Sequence, residues 1–181
     1  MAKRTNISEI KEGRRGFTLI ETLVAIAVLG MAIVGPLTLA IKSIGSAAIS
    51  QNQITASYLA QEAIEYIKNH RDNNFLQGKD WLEGLNYCFE SNGCYIDVFD
   101  TGSEINRCSF IECPKINFDS GNKQYNYKTG EKTIFTRTVN ISKKVIDGNE
   151  DEAEIKVEVK WQEKFGEKSF ILQDDIFNWK Q

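Results

Sequence analysis

One continuous apolar segment, residues 17–41, restricts both the fold and the location of this chain. As a helix rising about 1.5 Å per residue it would extend about 37 Å, while the hydrocarbon core of a bilayer is about 30 Å thick. The segment is longer than the apolar core of an ordinary secretory signal, and no small-residue cleavage motif follows it. We therefore predict a signal anchor, a membrane helix that the chain keeps.

The charged residues are divided unevenly around that segment. Residues 1–16 carry five basic and two acidic side chains, a net charge of +3, and the whole chain carries −3, so residues 17–181 carry −6. Basic residues beside a membrane helix stay in the cytoplasm, which predicts a cytoplasmic N-terminus and an extracytoplasmic body. An acidic body argues against nucleic-acid binding, because phosphate contacts need clustered Lys and Arg.

Glu21 is the one charged residue inside the apolar segment. A carboxylate in hydrocarbon costs about 2.5–3.5 kcal/mol on insertion scales. One explanation is a position near the interface and the helix N-terminus, where the macrodipole favours an anion. The other is a positive partner within the membrane. Cleavage after Gly16 would give Phe17 a new amino group, and the amine of a neighbouring subunit would neutralise Glu21.

The basic leader is followed by the residues GFTLIE, at positions 16–21. This stretch resembles the class III signal of type IV pilins and of the pseudopilins of type II secretion. The resemblance implies that an aspartyl prepilin peptidase cuts after Gly16 on the cytoplasmic face and N-methylates Phe17. It also implies that Glu21 guides subunits into a helical filament. The sixteen-residue leader is longer than many in the family, and threonine follows Glu21.

The same resemblance, which covers about 25 to 50 N-terminal residues, implies the partners and the location. The partners are the prepilin peptidase, other pilin or pseudopilin subunits, an inner-membrane assembly platform and membrane lipid, with no cofactor. The chain would be a single-pass inner-membrane protein and then part of a pilus or pseudopilus. Residues 58–68 also resemble the end of the long helix in minor pilins of the PilV type and in one class of minor pseudopilins.

Gly35 and Pro36 lie within the apolar segment. Proline costs about 3 kcal/mol in a helix interior, because it removes a backbone hydrogen bond and clashes one turn back. We therefore predict a kink near these two residues. It is either a site of local melting during filament assembly, a feature of the family, or a passive proline of the kind that membrane helices tolerate.

Residues 42–70 continue the helix with an amphipathic pattern. The apolar residues that share one face at helical spacing are Ile49, Ala56, Leu59, Ala60, Ala63, Ile64 and Ile67. We predict that the helix ends near residues 69–71, because residues 72–74 (DNN) favour a turn. The predicted divisions are a cleaved basic leader at 1–16, a transmembrane or filament-core helix at 17–41, its continuation at 42–70 and an extracytoplasmic head at 71–181.

The head has the alternating pattern of half-buried strands near its C-terminus. Apolar and polar residues alternate over 155–161 and again over 135–141, although Arg137 falls on the apolar side. Residues 146–149 favour a turn, so 132–162 are predicted to form a hairpin. Residues 170–179 would add a third strand or a closing strand-turn. Three antiparallel strands packed on the apolar helix face give an α+β fold, a pilin-like lollipop.

Four cysteines, Cys88, Cys94, Cys108 and Cys113, lie between the helix and the hairpin. Their spacings are longer than those usual in structural zinc sites, and the single histidine is remote. Disulfides are favoured over zinc or free thiols, because the body is predicted to lie outside the cytoplasm. Three pairings are possible, and we favour the short loops Cys88–Cys94 and Cys108–Cys113, although the sequence does not fix the choice.

No catalytic site or metal site is predicted. His70 is the one histidine, and it has no setting that indicates a nucleophile system. Residues 147–154 contain five carboxylates but lack the register of the best-known calcium loop, which favours a solvated turn. The leading hypothesis is a non-enzymatic minor pilin or pseudopilin subunit of a type IV pilus or a related secretion or uptake filament. The alternative is a single-pass, membrane-tethered extracytoplasmic binding protein that does not polymerise.

Overall fold

The computed structural model of the protein describes residues 16–100, 104–146, 149–164 and 166–178. The predicted leader, apart from Gly16, lies outside these residues. One long helix is followed by an antiparallel sheet, so the predicted α+β class is confirmed. The elements are α1 (Leu19–Leu76), a short 3-10 helix (Asn86–Phe89), β1 (Cys94–Ile96), β2 (Ile105–Arg107), β3 (Lys115–Asp119), β4 (Gln124–Asn126), β5 (Glu131–Ile146), β6 (Asn149–Glu163) and β7 (Gly166–Phe177).

The chain divides into two compact units, residues 1–48 and residues 49–181. In the first unit, every described residue is exposed. Helix α1 continues through Pro36, and the Thr38 hydroxyl donates to the carbonyls of Val34 (3.1 Å) and Gly35 (2.7 Å) in the same turn. The kink at Gly35 and Pro36 stays a prediction.

Helix α1 ends at Leu76, so the predicted end near residues 69–71 is wrong. Asn74, assigned to a turn from its residue type, is a buried helical residue whose amide donates to the carbonyl of Glu83 at 2.9 Å. The helix is instead terminated by Gly78, two residues beyond Leu76, which adopts φ +69°. The amide of Gly78 donates to the carbonyl of Phe75 and that of Lys79 to the carbonyl of Asn74, the two bonds of a Schellman motif.

The apolar face of the helix in the second unit packs into the core of the head, as predicted. Ile49 is an exception, since it lies at the edge of this unit and is 43% exposed. The helix residues that the core buries are Ala56, Leu59, Ala60, Ala63, Ile64 and Ile67. Three of the six are alanines, whose small side chains let the helix backbone lie close to the sheet.

The predicted hairpin and third strand are confirmed as β5, β6 and β7. Strands β5 and β6 pair from Phe135 with Trp161 to Ile146 with Asn149. On β6, the alternate residues Ile155, Val157, Val159 and Trp161 are buried. Residues 147–148 of the predicted turn and residue 179 of the predicted third strand lie outside the described residues.

The expectation of three strands is wrong, because the sheet has seven. Strands β1 to β4 lie in the cysteine-containing stretch and are three to five residues long, too short to show an alternating pattern. Strand β3 pairs with the first part of β5, and β1 pairs with β5 at Val139. Because β6 pairs along the other edge of β5, β1 and β3 both lie on the same edge. Strand β2 extends β1, and β4 extends β3.

Arg137, a buried charged residue of β5, ties three elements of the head together. Its Nη1 donates to the carbonyl of Leu59 (2.7 Å) and to Glu62 Oε2 (2.6 Å), and its Nη2 donates to the carbonyl of Ile96 (2.6 Å). Burial lowers the pKa of Arg137, but Tyr127 and Glu62 more than offset that effect, so its pKa is raised and it stays charged. The guanidinium thereby joins α1, β1 and β5.

We predict that Arg137→Ala lowers the free energy of unfolding by about 3–5 kcal/mol, because it breaks a buried ion pair and removes the donors to two buried carbonyls. The measurement is urea unfolding of the full chain in detergent micelles, followed by tryptophan fluorescence. Lys160→Ala is the control, since Lys160 lies in an exposed pair with Glu158 at 3.8 Å and exposed pairs contribute about 0–1 kcal/mol. Equal effects of the two substitutions would contradict the prediction.

Candidate functional site

The N-terminus of α1 is fixed by Thr18. The amide of Glu21 approaches both the Thr18 carbonyl (3.1 Å) and the Thr18 hydroxyl oxygen (3.3 Å), and the amide of Thr22 donates to the Thr18 carbonyl. Thr18 is therefore the N-cap, and Glu21 is the third helical residue. The sequence Thr-x-x-Glu is the signature of a capping box, which our sequence analysis missed although it is visible in the printed residues.

Gly16 and Phe17 precede this cap in backbone with no assigned secondary structure. The Phe17 side chain is 79% exposed. Among the described residues, no atom lies within 4 Å of the position that a Cβ on Gly16 would occupy. The packing of the described chain therefore does not explain why a glycine stands at position 16, and its peptide bond with Phe17 is open to solvent.

The site consists of the Gly16–Phe17 peptide bond, which precedes the N-cap, and the Glu21 carboxylate in the first turn of α1. Glu21 is the acidic residue of that turn, where the helix dipole favours a negative charge. A backbone cleaved between Gly16 and Phe17 would place an ammonium group one residue before the N-cap. The carboxylate at position 21 stabilises this helix end.

Beyond this turn the surface of α1 is apolar, and residues 22–48 are not buried against any other described part of the chain. Leu19 is 81% exposed, Ile26 is 73% exposed and Met31 is 78% exposed. An 18-residue window of α1 has a mean hydropathy of 2.4. Among the described residues, α1 is the one helix long and apolar enough to cross a membrane by length and composition.

The cysteines of the head form the two disulfides that the sequence favoured, Cys88–Cys94 and Cys108–Cys113. Their Cα–Cα distances are 4.6 Å and 4.4 Å. Cys88 and Cys94 belong to the hydrophobic core of the head, whereas Cys108 and Cys113 are buried outside that cluster. The first disulfide ties the 3-10 helix to β1, and the second closes the loop between β2 and β3.

We predict that the two disulfides contribute unequally to stability. They close loops of six and five residues, so the chain-entropy contribution is about 2–3 kcal/mol for each. Replacing both Cys88 and Cys94 with Ala should cost about 1 kcal/mol more than replacing both Cys108 and Cys113, because it also leaves a gap in the core. Urea unfolding of the two double variants measures the difference. Equal losses in the free energy of unfolding would contradict the prediction, because they would show that the core packing of Cys88 and Cys94 adds no stability.

Several polar side chains of the head have structural partners. Nε2 of His70 lies 2.8 Å from the carbonyl oxygen of Glu83, next to the end of α1. Lys68 Nζ lies 2.6 Å from Asp174 Oδ2, and this hydrogen bond lowers the pKa of Asp174. In the described part of the chain, no three His, Cys, Asp or Glu side chains are grouped so that they could hold a metal ion.

Comparison with known proteins identifies the N-terminal site. A family model described as the prokaryotic N-terminal methylation motif matches residues 13–35. No curated protein and no solved structure matches the chain. The motif is the signal of type IV pilins and pseudopilins, and it indicates a prepilin-peptidase substrate. Together with the apolar helix, it indicates membrane anchoring.

Proposed function

We propose that this chain, which carries the N-terminal methylation motif of type IV pilins and pseudopilins, is a non-catalytic minor subunit of such a filament. It is inserted in the inner membrane with its N-terminus in the cytoplasm, cleaved after Gly16, N-methylated on Phe17 and then recruited into the filament. The observation that carries the proposal is the match of residues 13–35 to the motif.

The position of the cleavage bond relative to the helix supports processing. Peptidases act on accessible backbone, and the bond between Gly16 and Phe17 precedes the Thr18 cap instead of lying within a helical hydrogen-bond ladder. Glycine at position 16 presents no side chain to the enzyme. Because the packing of the described chain does not account for this glycine, recognition by the peptidase is the simplest reason for it.

The amine produced by cleavage accounts for Glu21. An ammonium group at a helix N-terminus is opposed by the helix dipole, and a carboxylate in hydrocarbon needs a counter-charge. We propose that the Phe17 amine of one subunit pairs with Glu21 of its neighbour. The contact joins two different surfaces, so it can repeat along a series of subunits that carry the same N-terminal motif, and such contacts build open helical assemblies when they do not close into a ring.

The exposed apolar surface of the first unit needs an apolar environment both before and after assembly. Lipid covers the helix before assembly, and the apolar helices of neighbouring subunits cover it afterwards. The stretch after the membrane segment is rich in small residues, including Gly45, Ala47 and Ala48, which let helices approach closely. Gly35 and Pro36 supply a weak point at which the helix adjusts its hydrogen bonds between the two environments.

Two independent features support the proposed orientation. The basic residues of the leader favour the cytoplasmic side. The disulfides of the head form and persist in oxidising compartments outside the cytoplasm. The charge argument concerns the N-terminus and the redox argument concerns the head, and both support a head outside the cytoplasm.

We predict that Glu21→Ala reduces the amount of this subunit in sheared filaments at least tenfold, while its level and processing in the membrane are unchanged. The reason is that the Phe17 amine of the neighbour would stand unpaired among apolar helices. The measurement is immunoblotting of filament and membrane fractions from cells that contain the assembly machinery.

Thr18→Ala is the matched control, because it removes the N-cap hydroxyl but leaves the carboxylate in place. It should assemble nearly normally if Glu21 acts through the amine. Equal losses for Thr18→Ala and Glu21→Ala would mean that both act by stabilising the helix end. Normal assembly of Glu21→Ala would contradict the docking role and favour a membrane-tethered binding protein.

A further inference from the structure

The head contains a cleft of about 600 Å³ on the face of the sheet that points away from the helix. Its floor is formed by alternate residues of β5, including Thr136 and Thr138, and of β6, including Lys160 and Gln162. Successive residues of a strand point to opposite faces, and the intervening β5 residues, Phe135 among them, are buried in the core. The cleft therefore lies on the outer face of the sheet, and the core residue Trp161 is part of its lining.

One wall of the cleft is the Cys108–Cys113 loop, which carries the two most exposed large apolar side chains of the head. Phe110 is 93% exposed and Ile111 is 94% exposed. Isolated exposed apolar residues are ordinary, but two adjacent ones beside a cleft are characteristic of a contact site. Because both line the cleft, an occupant would cover them.

The backbone of the loop that carries these two side chains is held by a disulfide and three hydrogen bonds. The disulfide closes it, and the Ser109 hydroxyl donates to the Glu112 carbonyl (2.6 Å) while accepting from the Glu112 amide (3.2 Å). The Thr138 hydroxyl donates to Cys113 Sγ (3.1 Å), which attaches the loop to the floor. A preformed wall costs little ordering entropy when a ligand binds.

The charges of the cleft are nearly balanced. Two lysines face three glutamates around the lining, at Lys115, Lys160, Glu112, Glu158 and Glu167, and no arginine lines it. An anionic ligand such as a phosphate would meet more negative than positive charge. The rest of the polar lining consists of hydroxyl and amide groups, which both donate and accept hydrogen bonds.

We propose that this cleft binds a neutral oligosaccharide. A sugar ring has an apolar face that packs on Phe110 and Ile111, and a rim of hydroxyls that pair with the polar floor. Its lack of charge suits the balanced lining, and a cleft of this volume suits a ligand of two or three rings. The cleft lies within a single subunit, so its ligand binding can be tested without filament formation.

The experiment screens the full chain in phospholipid nanodiscs, since sugar-based detergents would compete, against an array of neutral, sialylated and sulfated oligosaccharides. The strongest neutral ligand is then titrated by calorimetry. Phe110→Ala should weaken its binding about tenfold, and Gln162→Leu by about three- to tenfold. Both residues are exposed, so neither change disturbs the core.

Phe99→Ala is the control, because Phe99 is 47% exposed but does not line the cleft. It should bind as the unaltered chain does. The proposal is overturned if no neutral oligosaccharide binds, if only the anionic ones bind, or if binding is unchanged in both cleft variants.

Discussion

Helix α1 needs two different surroundings, and the rest of the molecule follows from that requirement. Its residues from 19 to 48 are exposed along their whole length, whereas its residues from 56 to 67 place one face in the core of the head. The apolar surface of residues 19–48 is not stable in contact with water, because its area is far larger than that of isolated exposed side chains. Lipid or other apolar helices must cover it, and the proposed function supplies both in turn.

In the head, a sheet is held on a narrow helix face, and three of the six core residues of that face are alanines. Apolar packing alone is not directional. The guanidinium of Arg137 adds direction, since it reaches the carbonyls of Leu59 and Ile96 and the carboxylate of Glu62. The disulfide between Cys88 and Cys94 restricts the chain that leads from the helix into the sheet. Both act on the core side of the sheet, and the proposed cleft lies on the opposite face of β5 and β6.

Much of this fold was predictable, because its long elements carry long patterns. The apolar segment, the helix face and the alternation of β5 and β6 are each visible over seven or more residues. Strands β1 to β4 were not predictable from alternation, because three to five residues do not define a period, and their pairing depends on β5. The end of α1 was misplaced because Asn74 favours a turn by residue type, while its buried amide is satisfied by the carbonyl of Glu83. Gly78 was the better sequence signal for the end of α1.

The N-terminal site was predictable because its chemistry is local. Gly16, Phe17 and Glu21 lie within one turn of each other in the sequence, so no distant pairing was needed. The capping bond of Thr18 was local as well. In contrast, the cleft depends on residues from β5, β6 and the Cys108–Cys113 loop, which come together only through the sheet.

The most direct test of the account is the mass of the mature N-terminus. The full chain is expressed with and without a prepilin peptidase and examined by intact-mass and N-terminal peptide mass spectrometry. The account predicts that the peptidase yields a chain starting at Phe17 with one added methyl group. A chain that still begins near Met1, in cells where the peptidase cleaves a control substrate, would contradict it.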